Sequence, residues 1–218
     1  MKRIIIICEG PTEQVFCDKT LSPHFISKNY HIQAPTIKHT RGGIVKWEIL
    51  KKQIETHLST DKNAYVTTLI DYYGLYQKHN FPQWNIAEKT INKNERINIL
   101  EMAMKEEIDD AYQNRFIPYM QLHEFEGLLF NDINIFHQQI PPSDLIGLSE
   151  LEKTFREYDN PEMINNNKQT SPSHRLDRII AGYNKVIYGD ILAEAIGLNR
   201  IRQKSPRFDN WIKILEQL

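Results

Sequence analysis

Apolar positions 4–8 run without interruption, Ile-Ile-Ile-Ile-Cys, and show no polar alternation. Such a run predicts a strand covered on both faces, as in the centre of a parallel sheet. Residues 9–13 then break the pattern: Gly10 permits an unusual turn, and Pro11 or Thr12 suits a helix start. Val15, Phe16, Leu21 and Phe25 follow at loosely helical spacing as far as Lys28, and residues 30–38 read as a second strand. After the break at Arg41-Gly42-Gly43, Trp47, Leu50, Ile54 and Leu58 recur at helical spacing. Residues 64–70 are β-branched and aromatic, which predicts a third strand ending on Asp71. Residues 72–85 have little periodicity and read as a loop, and Ile97, Leu100, Met104 and Ile108 mark a long helix. Residues 116–122 form a fourth predicted strand, with Pro118 tolerated near its start or at an edge.

Strands alternating with helices define an α/β protein, and right-handed crossovers make its four-stranded sheet mostly parallel. Beyond Asn131 every pattern is helical, broken at 141–142, 165–167, 171–173 and Gly197. The expected organisation is an α/β core over 1–130 and a helical extension over 131–218 packed on that core.

Composition narrows this picture only a little. The 218 residues are 40% apolar and 25% charged, ordinary for a globular protein. The 27 basic and 28 acidic residues exclude a polycationic tail, but one face can still be basic. Cys8 and Cys17 are too few for a disulfide framework or a four-cysteine zinc site, so buried free thiols are expected. No apolar run approaches the roughly 20 residues of a membrane span, and the expected location is the cytoplasm. Charge is nevertheless divided along the chain. Residues 119–167 hold nine acidic and two basic side chains, whereas 168–218 hold nine basic and five acidic. Solvated helix faces explain that division, and so does an acidic metal site beside a basic phosphate-binding flank.

Ligands gather at the carboxyl ends of parallel strands. Glu9, Asp71 and Glu124 each follow a predicted strand, with Glu13 one helical turn beyond Glu9 and Glu126 just past Glu124. Carboxylates gathered so closely repel unless they are protonated or bridged by cations. Oxygen donors of this kind suit Mg²⁺ or Mn²⁺ holding a phosphate substrate. Surface charges alone are the competing explanation.

The segment Ile-Ile-Ile-Cys-Glu-Gly-Pro-Thr-Glu (5–13) resembles the first motif of TOPRIM domains, shared by topoisomerases, primases and OLD-type nucleases. The second Glu four residues on is the OLD-type form. The chain more closely resembles a family of small TOPRIM-like bacterial proteins catalogued as a domain of unknown function. That likeness rests on residues 8–13, 69–74 (Leu-Ile-Asp-Tyr-Tyr-Gly) and 116–130 (ending His-Glu-Phe-Glu-Gly-Leu-Leu-Phe). Ser-Pro-Ser-His-Arg (171–175), Tyr-Asn-Lys (183–185) and Ile-Gly-Leu (196–198) extend it over nearly the whole chain.

The resemblance implies a TOPRIM-type core with a divalent-metal site for nucleic-acid phosphodiesters, either DNA or RNA, as in an anti-phage effector. Glu9 matches the motif Glu, Glu13 the extra OLD-type Glu, and Asp71 the first Asp of an Asp-x-Asp pair. The second Asp is absent, because Tyr73 stands there; Glu124 or Glu126 is the expected replacement. The resemblance also implies an ATPase partner of the ABC/SMC or AAA type; a homo-oligomer remains open. For the implied reaction, Lys185 is expected to neutralise the transition state and Arg175 to clamp a phosphate oxygen. Arg41 is a further phosphate contact, although Arg41-Gly42-Gly43 is no P-loop. Ser173 is expected to cap a helix, and the aromatic residues of 72–84 either stack on bases or pack in the core. Two rivals stand beside the nuclease: a non-catalytic module that binds an ATPase or nucleic acid, and a phosphoacceptor domain acting through Asp71.

Overall fold

The computed structural model describes residues 2–38, 43–164, 167 and 169–218. They divide into two compact units, one running to Leu122 and including Leu218, the other His123–Gln217. The boundary thus follows Leu122, eight residues before the one expected from the sequence. Among the described residues no helix is long and apolar enough to cross a membrane.

The first unit is built on a parallel sheet. Its strands are β1 (Lys2–Cys8), β2 (Tyr30–Gln33), β3 (Ala64–Asp71), β4 (Phe116–Ile117) and β5 (Met120–Gln121), in the order β2-β1-β3-β4 with β5 also on β3. Strand β1 pairs with β3 from Arg3 opposite Ala64 to Cys8 opposite Leu69. Both lie inside the sheet, which is why their sequences do not alternate: Ile4 to Cys8 and Val66 to Asp71 are buried throughout. Strand β2 does alternate, as an edge strand should.

Proline ends two of the predicted strands early. Pro35 lacks an N–H, and beyond β2 the chain keeps only a single bridge, Cys8 with Thr36. Pro118 splits the fourth predicted strand into β4 and β5. The adjacent Tyr119 N–H donates instead to the Thr68 hydroxyl at 3.1 Å, which itself donates to the Tyr119 carbonyl at 2.7 Å.

Helices α1 (Pro11–Phe16) and α2 (Ser22–Ser27), within the segment expected to be loosely helical, are joined by a π-turn over Cys17–Leu21. In α3 (Trp47–Thr60) the predicted stripe of Trp47, Leu50, Ile54 and Leu58 is buried, packing into one core with Ile5, Ile7, Val66 and Ile70. Each such side chain contributes about 1.5–3 kcal/mol on burial. The predicted loop contains a 3-10 turn at Gln77–His79 and leads into α4 (Trp84–Lys89) and α5 (Lys93–Glu107). The Asn92 side chain caps α5 by accepting from the Asn94 and Glu95 amides. The Tyr30 hydroxyl donates to the Leu218 carbonyl, fixing the last residue to this unit.

In the second unit the regular elements are helical: α6 (Ile133–Gln139), α7 (Leu148–Glu157), α8 (Pro172–Ile179), α9 (Lys185–Ile196), α10 (Leu198–Lys204) and α11 (Pro206–Glu216), with 3-10 turns at Phe125–Leu129 and Pro161–Met163. Phe130, Phe136 and Phe155 form an aromatic cluster with ring centroids 5.8–6.2 Å apart. The cap of α8 is Ser171 rather than the expected Ser173, because Pro172 takes the first helical position, where a missing N–H costs nothing.

Acidic and basic stretches meet inside this unit. Glu126 pairs with Lys185, Asp132 with Arg200, and Glu150 with Arg178. Three of the nine acids in the acidic stretch are therefore matched by bases of the other stretch.

Gly147 lies against the backbone of residues 178–179. A Cβ there would sit 2.7 Å from the Ile179 Cα and 2.8 Å from the Arg178 carbonyl oxygen. Neither atom can yield without moving a chain, so Gly147→Ala should destabilise the protein by about 1–3 kcal/mol. Urea unfolding checks this; an unchanged midpoint would refute the close approach.

Candidate functional site

Adjacent parallel strands bring their carboxyl ends to one edge, and here those ends carry Glu9 and Asp71. The Glu9 N–H donates to the Leu69 carbonyl at 3.0 Å, extending the ladder by one residue. Its side chain then turns across the edge, where Oε2 accepts the Asp71 N–H at 2.9 Å. The two acids are thereby tied through a backbone amide, although 62 residues separate them. Glu13, buried on the first turn of α1, accepts the Gly10 N–H through Oε2 at 2.8 Å. Spacing of N-cap to third helical residue makes this half of a capping box. Glu13, expected from the sequence as a metal ligand, thus also holds the start of α1.

A buried polar layer supports Asp71 from below. The Tyr72 N–H donates to the Gln121 carbonyl at 3.0 Å, and the Tyr119 hydroxyl donates to Gln121 Oε1 at 2.6 Å. Gln121, Tyr119 and Thr68 were missed in the sequence. Polar residues within an apolar strand beside a proline were the available signal. Beneath Glu9, the Cys8 and Cys17 sulfurs lie 3.7 Å apart as buried free thiols. Their mutual hydrogen bond, then burial, push the Cys8 thiol well above its usual range, so it is a poor nucleophile.

Glu9, Glu13 and Asp71 offer oxygen donors only, the chemistry that hard divalent cations take. Among the described residues no three His, Cys, Asp or Glu side chains close on a common point. Mg²⁺ does not require that, since it binds through one or two carboxylates and completes its shell with water and substrate phosphate. The donor set fits such an ion, and the backbone amides of Asp71 and Gly10 fix how the Glu9 and Glu13 carboxylates point.

The other expected residues have their own surroundings. Arg41 lies outside the described residues. Glu124 and Glu126 belong to the second unit. Glu124 accepts the Ser173 N–H at 2.9 Å and the Ser173 hydroxyl at 2.8 Å, a buried anion at the α8 N-terminus. Burial first, then the neighbouring Glu126 charge, raises its carboxyl above the ordinary range against those two hydrogen bonds. Glu126 is 1% exposed and pairs through Oε1 with Lys185 Nζ at 3.0 Å. Lys185, expected to face a transition state, is thus the counter-ion of a buried acid. Arg175, expected to clamp phosphate, is itself buried. Its Nε donates to the Thr170 carbonyl at 2.8 Å and one terminal nitrogen to Thr154 Oγ1 at 2.9 Å.

Arg178, one turn further along α8, donates to both oxygens of Glu150, one of them at 3.0 Å from Nε. That bond holds the Glu150 carboxyl below its usual value. A depressed carboxyl stabilises the fold above its unfolded pKa and ceases to as pH falls through the folded one. Acid unfolding should therefore begin at a higher pH in Arg178→Ala than in the parent chain; coincident acid transitions would refute this.

An all-parallel sheet with acids at the carboxyl ends of its two inner strands defines an α/β protein of the kind that assembles chemistry at that edge. The chain belongs to the family described as Domain of unknown function (DUF4276), which it matches over residues 8–216. Among solved structures it is similar to the C-terminal region of the Burkholderia pseudomallei OLD protein, at 14% identity and a TM-score of 0.49, with 99% of each chain covered. No curated protein matches the chain.

Proposed function

We propose that the protein is a divalent-metal-dependent nuclease of TOPRIM type that hydrolyses nucleic-acid phosphodiesters. The carrying observation is the hydrogen bond from the Asp71 amide to the Glu9 carboxylate, which ties together two acids at the carboxyl edge of neighbouring parallel strands. The likeness of residues 8–13 and 69–74 to TOPRIM motifs supports the same reading. Glu9, Asp71 and Glu13 would hold Mg²⁺ or Mn²⁺, which when bound supplies Lewis-acid activation of the phosphate and of an attacking water. The chain's own contribution is orientation. The Asp71 N–H points the Glu9 carboxylate, the Gly10 N–H points that of Glu13, and the Gln121 layer keeps the strand end from shifting. Work alongside an ATPase, as in anti-phage defence, belongs to this proposal and rests on the family resemblance.

Cleavage of labelled single- and double-stranded DNA and RNA with Mn²⁺, against an EDTA control, tests the reading. Metal-dependent product is expected. A second reading, a non-catalytic module that binds nucleic acid or an ATPase, is favoured by Tyr73 at the position of the second motif Asp. It predicts tight association without metal-dependent product.

A further inference from the structure

We infer that a cavity beyond Asp71 in the first unit takes an unpaired nucleobase, with adenine preferred. This rests on the nuclease reading for the strand that carries the base, and names how that strand would be recognised. The cavity measures about 320 Å³ and is lined by Gln77, Asn80, Phe81, Gln83, Trp84 and Asn85. That volume falls at the lower end of small-ligand sites, which begin at about 300 Å³.

Four of the six lining residues carry a carboxamide. Each carboxamide presents one acceptor and two donors in a plane. Charged ligands would call for charged partners, and no lining residue carries a charge. A ligand matched to this set has donors and acceptors side by side on a flat, neutral edge, as a nucleobase does. Asn and Gln pair in bidentate fashion with the N6 and N7 groups of adenine, which is the reason for the stated preference.

Phe81 and Trp84 supply the apolar wall, and both are buried. Trp84 is 8% exposed, and its ring stacks on that of Tyr72. The backbone adds a second indication. Asn80 and Gln83 both adopt the left-handed conformation, at φ 53° and 56°. Gln has no special tolerance for that region, and such positions cluster where a loop is held in shape for binding. Tyr76, beside the lining Gln77, is 56% exposed, and the Lys78 ammonium lies 5.5 Å from its ring centroid. An exposed ring beside a cation suits the neighbouring base and phosphate of a single strand.

The test is equilibrium binding of the full chain, in EDTA, to fluorescent single-stranded 12-mers of adenylate, of thymidylate and of abasic sugar, with AMP as competitor. The expected result is tighter binding of the adenylate strand than of the abasic strand by roughly tenfold or more, from about 1–3 kcal/mol per bidentate contact. The double variant Gln77→Ala/Asn85→Ala should lose that preference while keeping the parental circular dichroism and melting temperature. Equal affinity for adenylate and abasic strands, or a preference that survives in a folded double variant, overturns the inference. Binding of AMP without any strand supports the cavity and overturns its nucleic-acid setting. Metal-dependent cleavage without base preference overturns the cavity alone, and no binding of strand or AMP overturns it too.

Discussion

Glu9→Gln should reduce Mn²⁺-dependent cleavage by at least about a hundredfold while leaving the melting temperature near that of the parent. The two halves of this expectation come from different properties of one side chain. Gln keeps a carbonyl oxygen that can accept the Asp71 N–H, so the strand edge retains its tie. It lacks the negative charge that holds a divalent cation. A lost metal ligand removes about 3 kcal/mol or more of transition-state stabilisation, and each 1.36 kcal/mol is tenfold. Glu9→Ala differs in kind, because it also removes the acceptor. An amide left without its partner costs about 1–3 kcal/mol, so this variant should lose activity and stability together. Cleavage assays and thermal unfolding on both variants separate these effects. A Gln variant that cleaves at the parental rate would remove Glu9 from the metal site and favour the non-catalytic module.

Glu162→Ala should lower the stability of the second unit by about 3 kcal/mol or more, the largest structural effect expected here. Glu162 is 2% exposed and sits at the start of α11. Its two carboxylate oxygens accept the Arg207 N–H at 2.9 Å and the Phe208 N–H at 3.0 Å. The first amides of a helix have no intrahelical partner, and a buried helix start must find acceptors elsewhere. Loss of the carboxylate strands both donors and leaves a void as well. The helix it holds buries Phe208, Trp211, Ile212 and Leu215, so loosening its start reaches the core. Glu162→Gln retains one acceptor and should fall between parent and Ala variant. Urea unfolding of the three chains orders them; an Ala variant within 1 kcal/mol of the parent would refute the capping role.

Glu162 shows why part of this protein could not be read from its residues. Its sequence neighbours, Pro161 and Met163, give no sign that it serves a helix more than 40 positions away. The same holds for Glu124, bonded to Ser173, and for Lys185, whose partner Glu126 lies on a distant turn. Linear charge patterning exposed that the second unit has an acidic and a basic part. It did not say that three of the acids are paired with bases of the other part. Conversely, Glu9 and Asp71 were legible because strand ends announce themselves: an unbroken β-branched run that stops at an acid places that acid at the edge of the sheet.

The amino-acid pattern alone determined the parallel α/β first unit, the order of its strands and helices, the helical character of the remainder and the two acids at the inner strand ends. Periodicity and turn residues act over a few positions, so they are written locally. Tertiary structure decided where β2 stops, how Pro118 divides the last strand, which amide orients Glu9, and which carboxylates serve helix starts. Those outcomes depend on which buried N–H groups lack partners once the chain has folded, and distant residues must then supply the acceptors.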